Sequence, residues 1–223
     1  MGQVLLVRHG QASWGADDYD VLSEIGWEQS RLLGRALAAR GVTASLVVHG
    51  TMRRHRETAE AVAEGLAAPE PSVDAGWDEF DHLAMLAQVS SPFEGREPSK
   101  AEFQAWFEEA TNRWTAGDHD ADYTEPFTVF TQRVADALRR TAKAAGSGTA
   151  LVFTSGGPMS WATSSLVGAE LGQAEKLLLW RRLNPVCVNS GVTKVVTGWR
   201  GLTLVSFNEH AHLELTPDLV TYR

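Results

Sequence analysis

The chain has 223 residues, of which 43% are hydrophobic, and it carries a formal net charge of −8. This length is typical of one large α/β domain, or of one domain with an insertion, and it allows a sizeable core without metal or disulfide. The negative charge excludes the broad basic surface that nucleic acid or an anionic membrane requires, so an anionic substrate needs a local basic pocket.

The single cysteine, Cys187, excludes an intramolecular disulfide and favours a reducing, cytoplasmic location. We interpret it as a buried structural thiol in a β segment rather than a nucleophile. No apolar stretch is long enough to predict a membrane-spanning helix.

The first part of the chain alternates strands and helices. Residues 4–7 predict a fully buried strand, and the polar residues 11–22 predict a loop. Ser23 is a good N-cap for a helix from about Glu24 to Arg40. The apolar face of this helix is expected to hold Ile25, Leu32, Leu33, Ala36 and Leu37. Ser45 to Val48 predicts a second strand and Met52 to Leu66 a second helix, and this order indicates βαβ units with a parallel sheet.

The middle of the chain has a different composition. Residues 72–80 predict a short strand that leads into Trp77-Asp78-Glu79-Phe80, and residues 81–122 predict about two helices inserted as a cap over the sheet. Trp106 and Trp114 are expected to form a small core there, with contact to an apolar or aromatic leaving group as the alternative. The acidic run 118–122 is interpreted as a solvated loop rather than a metal site.

The last part of the chain returns to alternating elements. Phe127 to Ala145 predicts a helix, 150–153 a buried strand, and Pro158 the first residue of the next helix. Val186 to Val196 and Leu202 to Phe207 predict two more strands joined by a turn at 198–201. Together the elements predict a three-layer α/β/α sandwich with a mostly parallel central sheet: a single domain, 1–223, with a helical cap inserted at about 81–122.

Three predicted strand ends have the same layout, in which a buried strand is followed by a polar turn that carries charged or hydrogen-bonding residues. They are Arg8-His9-Gly10, residues 51–56 and residues 154–157. Ligands of open parallel sheets bind at the carboxyl ends of the strands, where helix N-termini attract anions. Because guanidinium groups match phosphate oxygens, Arg8 and one arginine among positions 53, 54 and 56 indicate a phosphate pocket.

His9 has a specific meaning in such a pocket. A neutral imidazole is a good nucleophile toward phosphorus, and flanking arginines neutralise the transferring group. A structural histidine at a strand end is the alternative, and the tripeptide alone does not exclude it.

These residues and several downstream motifs resemble the histidine phosphatase superfamily, the phosphoglycerate mutase-like family. Leu5 to Gln11 resembles its opening strand with the R-H-G motif, and Leu22 to Gln29 is similar to the L-[ST]-E-x-G-x-x-Q helix that follows. Met52 to Ala59 resembles the helix of the second arginine, and its register, set by Thr58-Ala59, selects Arg54. Residues 189–193 and 208–213 resemble the late strands and tail of the family.

The resemblance implies a phosphoglycerate mutase-like fold and a role for each site residue. His9 is the expected phosphoryl acceptor, Arg8 and Arg54 bind the phosphate, and Glu79 lies where the family has its proton donor. Asp78 and Asp81 are the alternatives for the donor. No metal or organic cofactor is implied.

The chain departs from the family pattern at a second histidine, which the family places in an S-H-G-G turn. Here the turn is Thr154-Ser155-Gly156-Gly157, so Ser155 stands in the position of the histidine and is expected to hydrogen-bond phosphate without adding charge. We expect His82, three residues after Glu79, to enter the site and compensate, with a surface histidine as the alternative.

A second departure separates phosphatase from mutase. Mutases of the family resemble R-H-G-E-[ST]-x-W-N at their first strand end, where this chain has Gln11, Ala12 and Gly15 in place of the glutamate, hydroxyl and asparagine. This altered loop favours transfer to water, so the expected function is hydrolysis of a small phosphate monoester through phosphohistidine at His9. Mutase-type transfer and a catalytically weak phosphoester-binding protein are the alternatives, and a homo-oligomer is possible.

Other enzyme classes fit less well. A serine hydrolase built on Ser155 requires glycine two residues earlier, where Phe153 stands. A metal hydrolase would use His210 with His212, or His49 with His55, and neither pair sits in a recognised ligand array. The nucleotide-binding glycine motifs do not occur in the sequence.

Overall fold

The computed structural model describes residues 1–13, 20–93 and 95–222. These residues form six strands in one sheet and seven α-helices. The strands are β1 (Gly2–Arg8), β2 (Leu46–His49), β3 (Ser72–Val73), β4 (Thr149–Thr154), β5 (Val192–Gly198) and β6 (Gly201–Glu209). The helices are α1 (Glu24–Ala39), α2 (Arg53–Ala63), α3 (His82–Leu86), α4 (Lys100–Ala116), α5 (Phe127–Ala145), α6 (Gly156–Val167) and α7 (Gln173–Leu183).

The sheet is mostly parallel, with strand order β3-β2-β4-β1-β5-β6. Strands β1 to β4 run parallel to one another, whereas β5 pairs antiparallel with both β1 and β6. In the register, Arg8 lies opposite Thr154 and His49 opposite Phe153. The carboxyl ends of β1, β2 and β4 therefore meet at one edge of the sheet. The predicted α/β fold with a mostly parallel central sheet is confirmed.

Both faces of the central strands are covered. Leu5, Val7, Leu151 and Phe153 point to one face and join a core cluster with residues of α1 and α2, such as Leu33. Val4, Leu6 and Val152, which alternate with them, are also fully buried, and α6 contacts β1. This burial on both faces explains why the sequences of the central strands are continuous runs of apolar residues.

Helix α1 begins as expected, because the Ser23 side chain accepts a hydrogen bond from the Gly26 N–H. Its buried face is the predicted one only in part, because Leu33 and Leu37 are buried whereas Ile25 is 38% exposed. The buried positions are Gly26, Gln29, Ser30, Leu33, Gly34 and Leu37. Small and polar residues line this face because backbone lies against it: a Cβ on Gly34 would come within 2.3 Å of the Val62 carbonyl oxygen.

Three further predictions of local structure were wrong. Helix α6 begins at Gly156, so Pro158 is its third residue rather than its first. Strand β5 begins at Val192, and the residues before it form a 3₁₀ turn at Asn184–Val186 and a tight turn at Ser190, whose φ is +58°. Cys187 therefore lies outside a strand, although its thiol is buried as expected. The predicted loop 11–22 includes residues 14–19, which lie outside the described residues.

The chain divides into two compact units, Met1–Glu79 with Val134–Arg223, and Phe80–Arg133. The predicted insertion at 81–122 falls within the second unit, which contains α3 and α4. There Trp114 is buried against Phe80, Phe127 and Phe130, so it belongs to a small core as expected. Placement of this unit as a cap over the sheet stays a prediction.

No helix among the described residues is long and apolar enough to cross a membrane.

Candidate active site

The site lies at the sheet edge where β1, β2 and β4 end, and all the residues described for it belong to the first unit. His9 and Gly10 follow β1, residues 50–54 connect β2 to α2, and Ser155 follows β4 as the N-cap of α6. The three strand ends with similar sequence layout are thus brought together by the sheet.

The main chain holds His9 in one orientation. Its N–H donates to the Thr154 carbonyl at 2.8 Å, and its own carbonyl accepts from the Asn189 side chain at 3.1 Å. The ring Nδ1 lies 2.7 Å from the Gly10 carbonyl oxygen. Because a carbonyl only accepts, Nδ1 carries the proton and Nε2 keeps its lone pair.

The surroundings of His9 favour a neutral ring. Burial holds the pKa of His9 well below its usual 6.5, and the positive charges of Arg54 and Arg8 lower the pKa further. The ring centroid of His55 lies 5.8 Å from that of His9. His9 therefore presents an unprotonated nitrogen beside two guanidinium groups, which suits attack on an anionic centre.

Both predicted phosphate-binding arginines are present, and protein acceptors contact each of them. Arg54 is buried and donates to the Asp20 carboxylate at 2.6 Å. Arg8 donates to the carbonyl oxygens of Cys187 and Tyr222. Arg53 and Arg56, the other candidates on α2, are exposed, so the buried side of the helix presents Arg54.

Ser155 is buried and its hydroxyl lies 2.7 Å from Nε2 of His55. His55 follows Arg54 on the buried side of α2 and is fully buried. Burial and the positive charge of Arg54 hold the pKa of His55 well below 6.5, so this ring is also neutral.

Glu79 is tied to the same turn as Ser155, because its Oε2 accepts from the Gly157 N–H at 3.0 Å. The other two acids that sequence analysis left open have different contacts. Asp78 accepts from the N–H and the hydroxyl of Thr51. Asp81 caps α3 by accepting from Leu83 and Ala84, and it belongs to the second unit. Of these three acids, Glu79 is the one whose carboxylate is hydrogen-bonded to the turn at residues 154–157.

His82 also lies in the second unit, at the first position of α3. Its predicted entry into the site stays a prediction.

Sequence analysis missed Asp20, the partner of Arg54, and the contact between His55 and Ser155. The signal for His55 was available, since it lies one residue after Arg54 on a face that also buries Thr58. It was considered only as a metal ligand with His49. No group of three or more metal-ligating side chains occurs among residues 1–13, 20–93 and 95–222.

Cys187 has a buried thiol, and its carbonyl oxygen accepts a hydrogen bond from Arg8. Burial raises the pKa of its thiol to about 11, while Arg8 lowers this pKa and Glu79 raises it.

Comparison with known protein families finds one model that matches most of the chain. The family model described as histidine phosphatase superfamily (branch 1) matches residues 4–209. None of the curated proteins matches the chain in sequence.

Solved structures share the fold. A mutant phosphoserine phosphatase of Entamoeba histolytica in complex with phosphoserine has a TM-score of 0.67 at 19% identity, over 96% of this chain and 100% of that one. The α-ribazole phosphatase of Shigella flexneri has a TM-score of 0.65 at 19% identity, over 94% and 97%. The phosphoglycerate mutase of Bacillus anthracis has a TM-score of 0.63 at 20% identity, over 95% and 94%.

Proposed function

Because the chain belongs to the histidine phosphatase superfamily (branch 1), we propose that it is a phosphatase that hydrolyses a small phosphate monoester through a phosphohistidine at His9. The observation that carries the proposal is the buried, neutral His9 with Nδ1 bound to Gly10 and two arginines close by. Phosphatases among the proteins of similar fold support the same reaction class.

In the first step, Nε2 of His9 attacks phosphorus, and the bond from phosphorus to the ester oxygen breaks as the N–P bond forms. Arg8 and Arg54 neutralise the charge of the transferring group. Glu79 gives its proton to the leaving oxygen, so the product leaves as a neutral alcohol.

In the second step, water attacks the phosphoryl group on His9 and the N–P bond breaks. Glu79, now ionised, takes the proton of the water, and inorganic phosphate leaves. Asp20 competes with phosphate for Arg54. This competition favours release of the product.

Hydrolysis is preferred to mutase-type transfer because of residue 11. The Gln11 side chain accepts from the Ser23 hydroxyl at 2.9 Å, so it holds the start of α1 rather than serving a second phosphoryl acceptor. We further propose that the substrate is a small phosphorylated molecule and that the protein acts in the cytoplasm. Nucleic acid and membrane partners are not part of this proposal.

The test is capture of the intermediate. Rapid quench in alkali after mixing with 4-nitrophenyl phosphate, followed by mass spectrometry, should place one phosphoryl group on the peptide that contains His9. His9→Ala should remove the adduct and lower kcat by about 10³-fold or more.

A matched control is His49→Ala. His49 also ends a strand and bonds the carbonyl of the next glycine through Nδ1, at 2.6 Å. This variant should keep the adduct on His9. Phosphate binding without any adduct or turnover in the wild type would instead identify a phosphoester-binding protein.

A further inference from the structure

The Ser155 hydroxyl has an unusual partner for its position. As the N-cap of α6, a serine ordinarily accepts a hydrogen bond from an N–H of the first turn. Here the side chain makes no such bond, and Glu79 accepts from the Gly157 N–H instead. The hydroxyl is directed to Nε2 of His55, 100 residues away in the chain.

The chain makes room for the His55 ring at this place. A Cβ on Gly50 would lie 2.4 Å from Nδ1 of His55, so a side chain at residue 50 is incompatible with the ring. The ring fills this space beside Arg54 and faces His9, with 5.8 Å between the two ring centroids.

The two nitrogens of His55 differ in their contacts. Nε2 faces Ser155, and Nδ1 is buried with no hydrogen-bond partner among the described residues. If Nε2 carries the proton, it donates to Ser155 and leaves the hydroxyl proton for another acceptor. If Nδ1 carries it, the hydroxyl donates to Nε2 and offers only lone pairs to a ligand.

A phosphoryl group presents acceptor oxygens, so only the first arrangement gives a hydrogen bond to it. We propose that His55 is a positioning residue, which donates from Nε2 to Ser155 and thereby directs the Ser155 hydroxyl to a phosphoryl oxygen in the His9 pocket. This inference rests on the proposed function. It assigns to a histidine on α2 the compensation that sequence analysis sought in His82.

Binding of tungstate, a tetrahedral oxyanion that is not hydrolysed, tests the pair by a double-mutant cycle. Ser155→Ala and His55→Ala should each raise the Kd for tungstate by about tenfold, the cost of one hydrogen bond to a charged group. Because His55 acts through Ser155, the double variant should bind no more weakly than either single variant. Independent losses that multiply to about a hundredfold would overturn the proposal.

His55→Ala leaves a buried cavity, so a conservative variant is needed. His55→Gln keeps an N–H donor on a smaller side chain and should bind tungstate within about threefold of the wild type. A nitrogen NMR spectrum of the tungstate complex adds a direct measurement in the intact protein. A proton on Nε2 of His55 is expected, and a proton on Nδ1 would overturn the proposal.

The chain offers a matched control in a second histidine–serine pair, in which Nε2 of His212 lies 2.8 Å from Oγ of Ser190. His212→Ala should lower Tm as His55→Ala does, yet leave the Kd for tungstate within about twofold. A His55 that only supports the fold would behave like His212.

Turnover of 4-nitrophenyl phosphate separates the two proposals. If the Ser155 and His55 variants lose tungstate binding non-additively but the wild type shows no turnover, the proposed phosphatase function is refuted and the positioning role of His55 is supported. If Ser155→Ala shows normal turnover and normal tungstate binding, the positioning role of His55 is refuted and the proposed phosphatase function is supported.

Discussion

At the scale of single residues, the site combines neutral imidazoles with guanidinium groups. His9 and His55 are both buried beside Arg54, and this charge lowers the pKa of each ring. In the proposed reaction, positive charge for the substrate therefore comes from the arginines, while the histidines supply a lone pair and a hydrogen bond. On this proposal, the division of roles allows a serine at position 155 in a phosphate-binding pocket.

Glu79 gives the prediction that belongs to this scale. With Glu79→Gln, we expect kcat/KM for an alkyl phosphate that the wild type hydrolyses to fall by about 10²-fold or more, because the alkoxide leaving group needs a proton. The value for 4-nitrophenyl phosphate should fall by less than about tenfold, since nitrophenolate leaves without one.

Steady-state kinetics with the two substrates measures the difference. Asp78→Asn is the control, because Asp78 bonds Thr51 and should affect both substrates equally. An equal loss for both substrates in Glu79→Gln would remove Glu79 from the role of acid.

At the scale of elements, close contact between α1 and α2 positions the arginine helix. Gly34 on α1 faces the backbone of Val62 on α2, and Gly10 and Gly26 allow a similar approach between the strand end and α1. The Gly10 N–H also donates to the Thr58 hydroxyl of α2 at 3.0 Å. The close packing of α1 against α2 therefore holds Arg54 and His55, both on α2, near the end of β1.

Gly34→Ala tests this packing. Alanine usually stabilises a helix by about 1 kcal/mol relative to glycine. Here the added Cβ would lie 2.3 Å from the Val62 carbonyl oxygen. We therefore expect the free energy of unfolding to fall by about 1–3 kcal/mol, the usual cost of overpacking.

Urea denaturation measures the change. The reverse substitution on the exposed side of the same helix, Ala38→Gly, gives the propensity contribution alone. A Gly34→Ala variant that is more stable than the wild type would show that α1 and α2 separate readily.

At the scale of the whole molecule, buried histidines make stability depend on pH. His9, His55 and His212 have pKa values below 6.5 in the folded chain, to about 4 for His212, mainly because of burial. Near pH 6.5 these histidines take up protons in the unfolded chain, whereas in the folded chain they stay neutral. Stability is therefore complete above this pH and is lost as the pH falls toward the folded pKa values.

Each such histidine contributes a slope of about 1.4 kcal/mol per pH unit below 6.5, so the three together give at most about 4 kcal/mol per unit. Urea unfolding between about pH 6.5 and 5.5 should show this loss, before the paired carboxylates titrate. His212→Gln should reduce the slope by about one histidine's share. A flat profile over this range would mean that these rings take up protons without unfolding.

Local pattern accounts for what the sequence predicted correctly. The Ser23 cap, the bounds of α5 and the Gly198–Gly201 turn depend on neighbours within a few residues. Helix α7 was missed because its apolar residues do not share one buried face: Leu178 is exposed and only Trp180 is buried. Cys187 was assigned to a strand because it lies among apolar residues shortly before β5, which begins at Val192.

By itself, the sequence determined the α/β class, the order of the strand ends that carry His9, Arg54 and Ser155, and the family, because these depend on short motifs in chain order. The tertiary structure decided which side chains meet. The His55–Ser155 contact joins residues 100 positions apart, and the Asp20–Arg54 pair joins a loop to a helix. No local pattern encodes such pairs, since they arise only when parallel strands bring their carboxyl ends to one edge of the sheet.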